Sequence, residues 1–178
     1  MRTVKNQRGV ALFISLVLLL VLTIIGVSAV QTTSLEERMA RNTHDSVLAF
    51  ESAEAALRAG ETFLRTSVNS TALFVPAGNN GLWKASNYGQ AERWDQPGIW
   101  TGANSVAIPA ATIAGVAEQP RYIIEWVASV QRVDNSYVQG SSYSALFDRI
   151  EIFRITARGV GGTTNARVLL QSTFGLIF

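Results

Sequence analysis

The pattern of apolar and polar positions along this chain changes character three times. Val10 to Val30 is a run of 21 residues without a charge, VALFISLVLLLVLTIIGVSAV. Wound as a helix it spans roughly 31 Å, about one hydrocarbon thickness. Residues 31–66 then become periodic. Leu35, Met39, Val47, Phe50, Ala53, Leu57 and Leu64 recur at spacings of three, four or their sums, with no proline and a single glycine, Gly60. Such a stripe predicts an amphipathic helix packed on a sheet. Glu37/Arg41, Glu54/Arg58 and Glu61/Arg65 place the acid four residues ahead of the base, the better orientation on a solvated helix face. Joined together, Val10–Thr66 forms a rod of roughly 85 Å. No domain of this size has an interior that long, so half the rod belongs in a membrane or filament and half on a globular head.

Residues 67–119 lose this periodicity. They are rich in Gly, Asn and Pro and carry Trp83, Trp94 and Trp100, which reads as a loop-rich insertion. Tryptophans in such a segment are candidate contacts for a partner or a sugar; the alternative is that they fold back over a sheet edge or one end of the core. After Pro120 the chain alternates. Arg121–Val130 is rich in β-branched and aromatic residues, with Tyr122, Ile124, Trp126, Ala128 and Val130 expected on one face. Arg149–Arg158 is a second strand that groups Phe153, Ile155 and Ala157. Gly159–Asn165 is a flexible loop, and Ala166–Phe174 is a third strand with Val168, Leu170 and Phe174 together. Asp134–Tyr143 reads as a surface loop. The expected fold is α+β, with the outer half of a long N-terminal helix packed on an antiparallel meander.

Composition narrows the chemistry. Hydrophobic residues at 48% and charged residues at 16% exclude a disordered chain. The chain has no cysteine, which removes disulfide scaffolds, thiolate metal sites, cysteine nucleophiles and lipoprotein anchors. The single histidine, His44, rules out multi-histidine metal sites and reads as a solvated side chain beside Asp45. The formal net charge of +2 owes its sign to Arg2, Lys5 and Arg8. Residues 67–178 carry eight basic and seven acidic side chains with no basic stripe, so nucleic acid is not an expected partner.

Those three basic residues precede the apolar run, and Glu36 and Glu37 follow it. The positive-inside rule keeps residues 1–9 cytoplasmic and sends residues 31–178 across the membrane. Two other uses of the run exist. One is a buried core helix, which the length and the charge asymmetry oppose. The other is a secretory signal cut after Val27-Ser28-Ala29. Against it stand the 18 apolar residues before that site, longer than a signal normally uses, and a helical pattern that continues through Gln31–Ser34.

Gln7-Arg8-Gly9 stands directly before Val10, setting a glycine between a basic leader and the apolar run. Here the sequence resembles the type IV pilins. That resemblance implies cleavage of the Gly9–Val10 bond by a prepilin peptidase and methylation of Val10. Ala49–Leu57 (AFESAEAAL), Ser34–Ala40 (SLEERMA), Phe153–Gly159 (FRITARG) and Leu169–Phe174 (LLQSTF) resemble PilX-type minor pilins. The likeness covers about residues 7–66 and 120–174. With the residue pattern it gives a division into a leader (1–9), a transmembrane segment (10–30), an amphipathic helix of the head (31–66), the insertion (67–119), which the likeness does not cover, and the sheet (120–178). Two departures stand out. The absence of cysteine removes the disulfide-closed C-terminal loop of many major pilins. The glutamate usual at the fifth mature position is replaced by Ile14. In the family that carboxylate pairs with the N-terminal amine of the adjoining subunit, since charges in hydrocarbon must pair or neutralise. Ile14 cannot do so, which implies a place at or near the filament tip.

No catalytic constellation occurs: there is no G-x-S-x-G, P-loop or H-E-x-x-H. Glu125 and Glu151 fall on expected strands, where cross-strand pairing with Arg154 or Arg167 explains them. An enzyme is not expected, nor is a cofactor or metal. The resemblance implies a structural subunit of a priming or tip complex that supports pilus biogenesis, adhesion and twitching motility. Its implied partners are the bacterial inner membrane before assembly, the prepilin peptidase, other minor pilins, the major pilin and a PilY-type tip adhesin. Location follows: a single pass with the head periplasmic, then the pilus at or near its tip. Two rivals remain, a tip pseudopilin of a type II secretion system and a single-pass periplasmic binding module that never assembles.

Overall fold

The computed structural model describes residues 8–109, 113–131 and 149–177; residues 1–7 of the leader and the expected loop Asp134–Tyr143 lie outside them. The chain divides into two units, Met1–Thr43 and His44–Phe178. A single 60-residue helix, α1 (Arg8–Ser67), contributes to both. Its apolar stretch contains no charged residue, and the hydroxyls of Ser15 and Thr23 find partners within the helix. Ser15 donates to the Leu12 carbonyl at 2.8 Å and Thr23 to that of Leu20 at 2.7 Å. Intrahelical partners matter because hydrocarbon offers none.

In the second unit α1 lies on a sheet that has five strands among the described residues. The strands are β1 (Leu82–Lys84), β2 (Val106–Ala107), β3 (Arg121–Gln131), β4 (Arg149–Val160) and β5 (Arg167–Leu176). The expected meander is present: β3, β4 and β5 pair antiparallel in that order. The insertion adds two strands that the sequence pattern did not suggest. β1 pairs parallel to β3 at Leu82↔Ile124, and β2 pairs antiparallel at Val106↔Tyr122. Both lie on the same edge of β3, one after the other. The sheet is therefore mixed at one edge.

Of the expected stripe on α1, Ala53 and Leu64 are buried and Leu57 packs half-buried against the core, but the other four positions do not pack. Leu35, Met39, Val47 and Phe50 are exposed. The buried positions are Ala49, Ser52, Ala53, Ala56, Gly60 and Leu64, again at helical spacing but formed mostly of small residues. Small side chains let the helix backbone approach the sheet. A Cβ on Gly159 would sit 2.1 Å from the Ala49 carbonyl oxygen and 2.4 Å from the Ala53 nitrogen. Ser52 bridges the two layers, its hydroxyl 2.8 Å from the Ala49 oxygen and 3.2 Å from that of Val160. Large side chains at those helix positions would push α1 off β4.

On the sheet face towards α1, Tyr122, Ile124, Phe153, Ile155 and Ala157 form the main core with Ala56, Leu64, Val68 and Phe74. The register places Phe153 opposite Phe174 and Ala157 opposite Leu170, so the expected faces of β4 and β5 hold. β3 departs from its expected alternation. Trp126 pairs with Phe153, but Ala128 pairs with Ile152, leaving Val127 as a bulge residue. One extra residue reverses every later side chain. Ala128 and Val130 thus leave the face of Trp126, and Ser129 takes their place there, donating to Glu151 at 2.9 Å.

A smaller cluster lies on the opposite face of the sheet. Trp83, Ile99 and Ile123 are buried there, with Trp94 and Trp100 half-buried against them. Trp83 donates from Nε1 to the Asn104 carbonyl at 2.8 Å, and Trp100 donates to that of Trp94 at 3.0 Å. The Arg93 guanidinium stacks 5.2 Å from the Trp83 ring. In this arrangement the indole N–H groups of Trp83 and Trp100 are satisfied by the insertion's own backbone, as buried tryptophans require.

Candidate assembly surface

Gly9, Val10 and Ile14 fall on the first turns of α1. Apart from its chain neighbours and the helix's own backbone, no described atom lies within 4 Å of the position a Gly9 Cβ would take. Val10 is 61% exposed and Ile14 is 55% exposed. Exposure continues all round the helix: Leu12, Phe13, Leu16, Leu19, Leu22, Ile24, Val27 and Val30 are uncovered. α1 is long and apolar enough to cross a membrane, and none of its apolar window is buried within the protein. A surface of that kind needs lipid or other apolar helices around it.

The head carries charged contacts that hold loops to the sheet. Glu125 on β3 is fully buried and receives Arg154 of β4 from two sides, Nε–Oε2 at 3.0 Å and Nη2–Oε1 at 3.1 Å. The same guanidinium reaches Glu92 of the insertion at 2.5 Å. Burial pushes the Glu125 carboxyl above its ordinary range, and the Arg154 contacts oppose that. The expected pairing of Glu125 with Arg154 is thus formed. Glu151 instead accepts from Trp126 Nε1 at 2.8 Å and from Ser129, on the other face, so the two carboxylates do not meet. Arg158 holds Glu118 at 2.8 Å.

Asp45 is a further tie that the sequence pattern did not single out. It accepts from the Thr163 amide at 3.1 Å and from the Thr163 hydroxyl. Those bonds, the hydroxyl's first, hold the Asp45 carboxyl below its usual range. A Cβ on Gly161 would stand 2.3 Å from Asp45 Oδ1. The glycines of the β4–β5 connection are therefore what lets it close onto α1, and the Gly-x-Gly-Gly run was the available signal. Of the expected helix pairs, Glu37–Arg41 and Glu54–Arg58 form at 2.5 and 2.6 Å, whereas Glu61 accepts from Ser172 of β5 at 3.0 Å. His44 is exposed. Among the described residues no cluster of metal-ligating side chains occurs.

An uncovered apolar helix of membrane length, continuing as the helix that packs on an antiparallel meander, defines a pilin-type subunit. Two family models then cover the chain: PilX N-terminal matches residues 8–58, and the C-terminal model of type IV pilus assembly protein PilX matches residues 55–176. The chain belongs to the PilX family and is a minor pilin of type IV pilus assembly. Searches of curated proteins and of solved structures gave no significant match.

Proposed function

We propose that this minor pilin is cut between Gly9 and Val10 by the prepilin peptidase, methylated on Val10, and placed in the priming or tip complex of the pilus. There it joins other minor pilins and the major pilin, with a PilY-type adhesin as a further partner, and supports adhesion and twitching motility. Before assembly it resides in the inner membrane with its head in the periplasm. The observation that carries this reading is Ile14, an uncharged residue on an exposed apolar turn directly after Gly9 and Val10. A subunit with no carboxylate at this depth has no partner for a neighbouring N-terminal ammonium, so nothing registers it electrostatically inside the shaft. The driving force for assembly is the transfer of apolar helix surface from lipid into the filament core.

The test has two parts. The N-terminal mass of the membrane protein is measured with and without active prepilin peptidase; a methylated Val10 terminus that vanishes without the enzyme is expected. A Val30 terminus identifies a secreted head, and an intact Met1 terminus under both conditions identifies a resident membrane module. Ile14→Glu is expected to relocate the subunit into the shaft or to reduce piliation. Unchanged piliation and tip location would remove the argument from Ile14.

A further inference from the structure

The two edges of the sheet are treated differently. The edge of β3 is covered by β1 and β2 in succession. Among the described residues no strand pairs with the outer side of β5. The Gly161 amide donates to the Ala166 carbonyl at 2.9 Å, which fixes the phase of the β4–β5 ladder. In an antiparallel ladder of that phase, Val168, Leu170, Ser172 and Phe174 direct their peptide groups at β4. Leu169, Gln171, Thr173 and Gly175 direct theirs outward. Soluble proteins blunt such an edge with charge, proline or a bulge. Here Val168–Leu176 contains no charge and no proline, and the β4–β5 register is unbroken.

Both faces beside this edge are also incomplete. Towards α1, Phe153, Ile155 and Ala157 on β4 are fully buried, but Val168, Leu170, Phe174 and Leu176 on β5 are only half-buried. On the opposite face, Trp94, Thr156, Leu169 and Gln171 line a recess of about 170 Å³ beside the edge. Leu169 is 45% exposed in it. Main-chain groups along an edge, with a recess for an alternate side chain, are the two components of recognition by strand addition.

We propose that the outer edge of β5 accepts an extended, uncharged segment of a different pilus subunit, which adds a strand to the sheet and seats one apolar side chain beside Trp94. The occupant's chemistry follows from the edge. Nine residues of strand present roughly 30 Å of ladder, and the flanking Leu169, Gln171 and Thr173 offer no counter-charge to a charged segment. This inference rests on the reading of the chain as a pilus subunit.

The experiment uses the full chain in its own host. Thr173→Pro removes an outward N–H at an edge position, and Thr173→Val keeps it. Leu169→Lys and Gln171→Lys leave the native ladder intact and charge the edge, so they carry the test if the proline variant does not accumulate. All are compared with wild type for membrane level, N-terminal processing and surface piliation. Thr173→Pro and the lysine variants are expected to lower piliation at least tenfold at normal membrane level and processing, with Thr173→Val unchanged. Variants that piliate normally while deletion of the gene abolishes piliation would overturn the edge proposal alone. A deletion without effect on piliation would overturn it together with the pilus reading. Thr173→Cys, in a chain without other cysteines, adds a check on the occupant: a disulfide-linked dimer of this chain would overturn a different subunit as the partner.

Discussion

At the scale of single residues, the most consequential contact in the head is the one between Glu125 and Arg154. A fully buried carboxylate is costly unless its charge is met and its oxygens are hydrogen-bonded, and Arg154 does both with a bidentate contact. Arg154→Met leaves Glu125 buried and unpaired, raising its carboxyl further. A folded-state value raised above the unfolded 4.5 contributes stability that is fully present below that pH and lost as pH rises through the folded value. The variant is therefore expected to track wild type most closely below pH 4.5 and to fall behind by about 3 kcal/mol at pH 7. Thermal unfolding of the detergent-solubilised chain across that range checks it. A gap that does not widen with pH would mean that Arg154 acts through packing instead.

At the scale of elements, α1 and β4 are held by backbone closeness. Gly159 and Gly60 sit on opposite sides of that contact and predict opposite responses. A Cβ at Gly159 meets α1 backbone at 2.1 and 2.4 Å, which cannot move aside. At Gly60 the nearest atoms belong to the side chains of Ile155 and Tyr122, at 2.9 and 3.1 Å. Gly159→Ala should cost about 3 kcal/mol, a fall in Tm of roughly 6–12 °C for a chain of this size. Gly60→Ala should stay within about 1 kcal/mol, because a mid-helix alanine gains nearly that much in propensity. The same contact explains what was legible beforehand. The faces of β4 and β5 follow from alternation of large side chains and appear as expected, while β4 runs on to Val160, into the expected loop, and β5 to Leu176. The apolar stripe on α1 includes Ala53 and Leu64, which the sheet does bury, but it misses Ala49, Ser52, Ala56 and Gly60, small residues that carry little hydrophobic signal. Periodicity located the helix but could not rank its faces. The Val127 bulge carries no composition signal of its own, so the reversal of Ala128 and Val130 was hidden. The cluster of tryptophans depends on contacts between residues far apart in sequence, and only its composition was visible.

At the scale of the whole molecule, the apolar residues that the head does not cover are the ones to explain. Leu35, Met39, Val47 and Phe50 follow a helical pattern but remain exposed, Phe50 at 48%, while the sheet packs on a different set. Burial in the monomer therefore gives no reason for large side chains at these positions. Assembly does, if these residues pack against neighbouring helices as they do not pack against their own sheet. Phe50→Ser separates the two roles. Because Phe50 lies outside the core, the substitution is expected to change stability by less than about 0.5 kcal/mol. Membrane level and N-terminal processing should match wild type, and piliation should fall several-fold because a polar side chain replaces apolar contact between subunits. Thermal unfolding and piliation counts on the same strains decide it. A large loss of stability would return Phe50 to the head, whereas normal piliation with normal stability would leave the exposed stripe without a part in assembly.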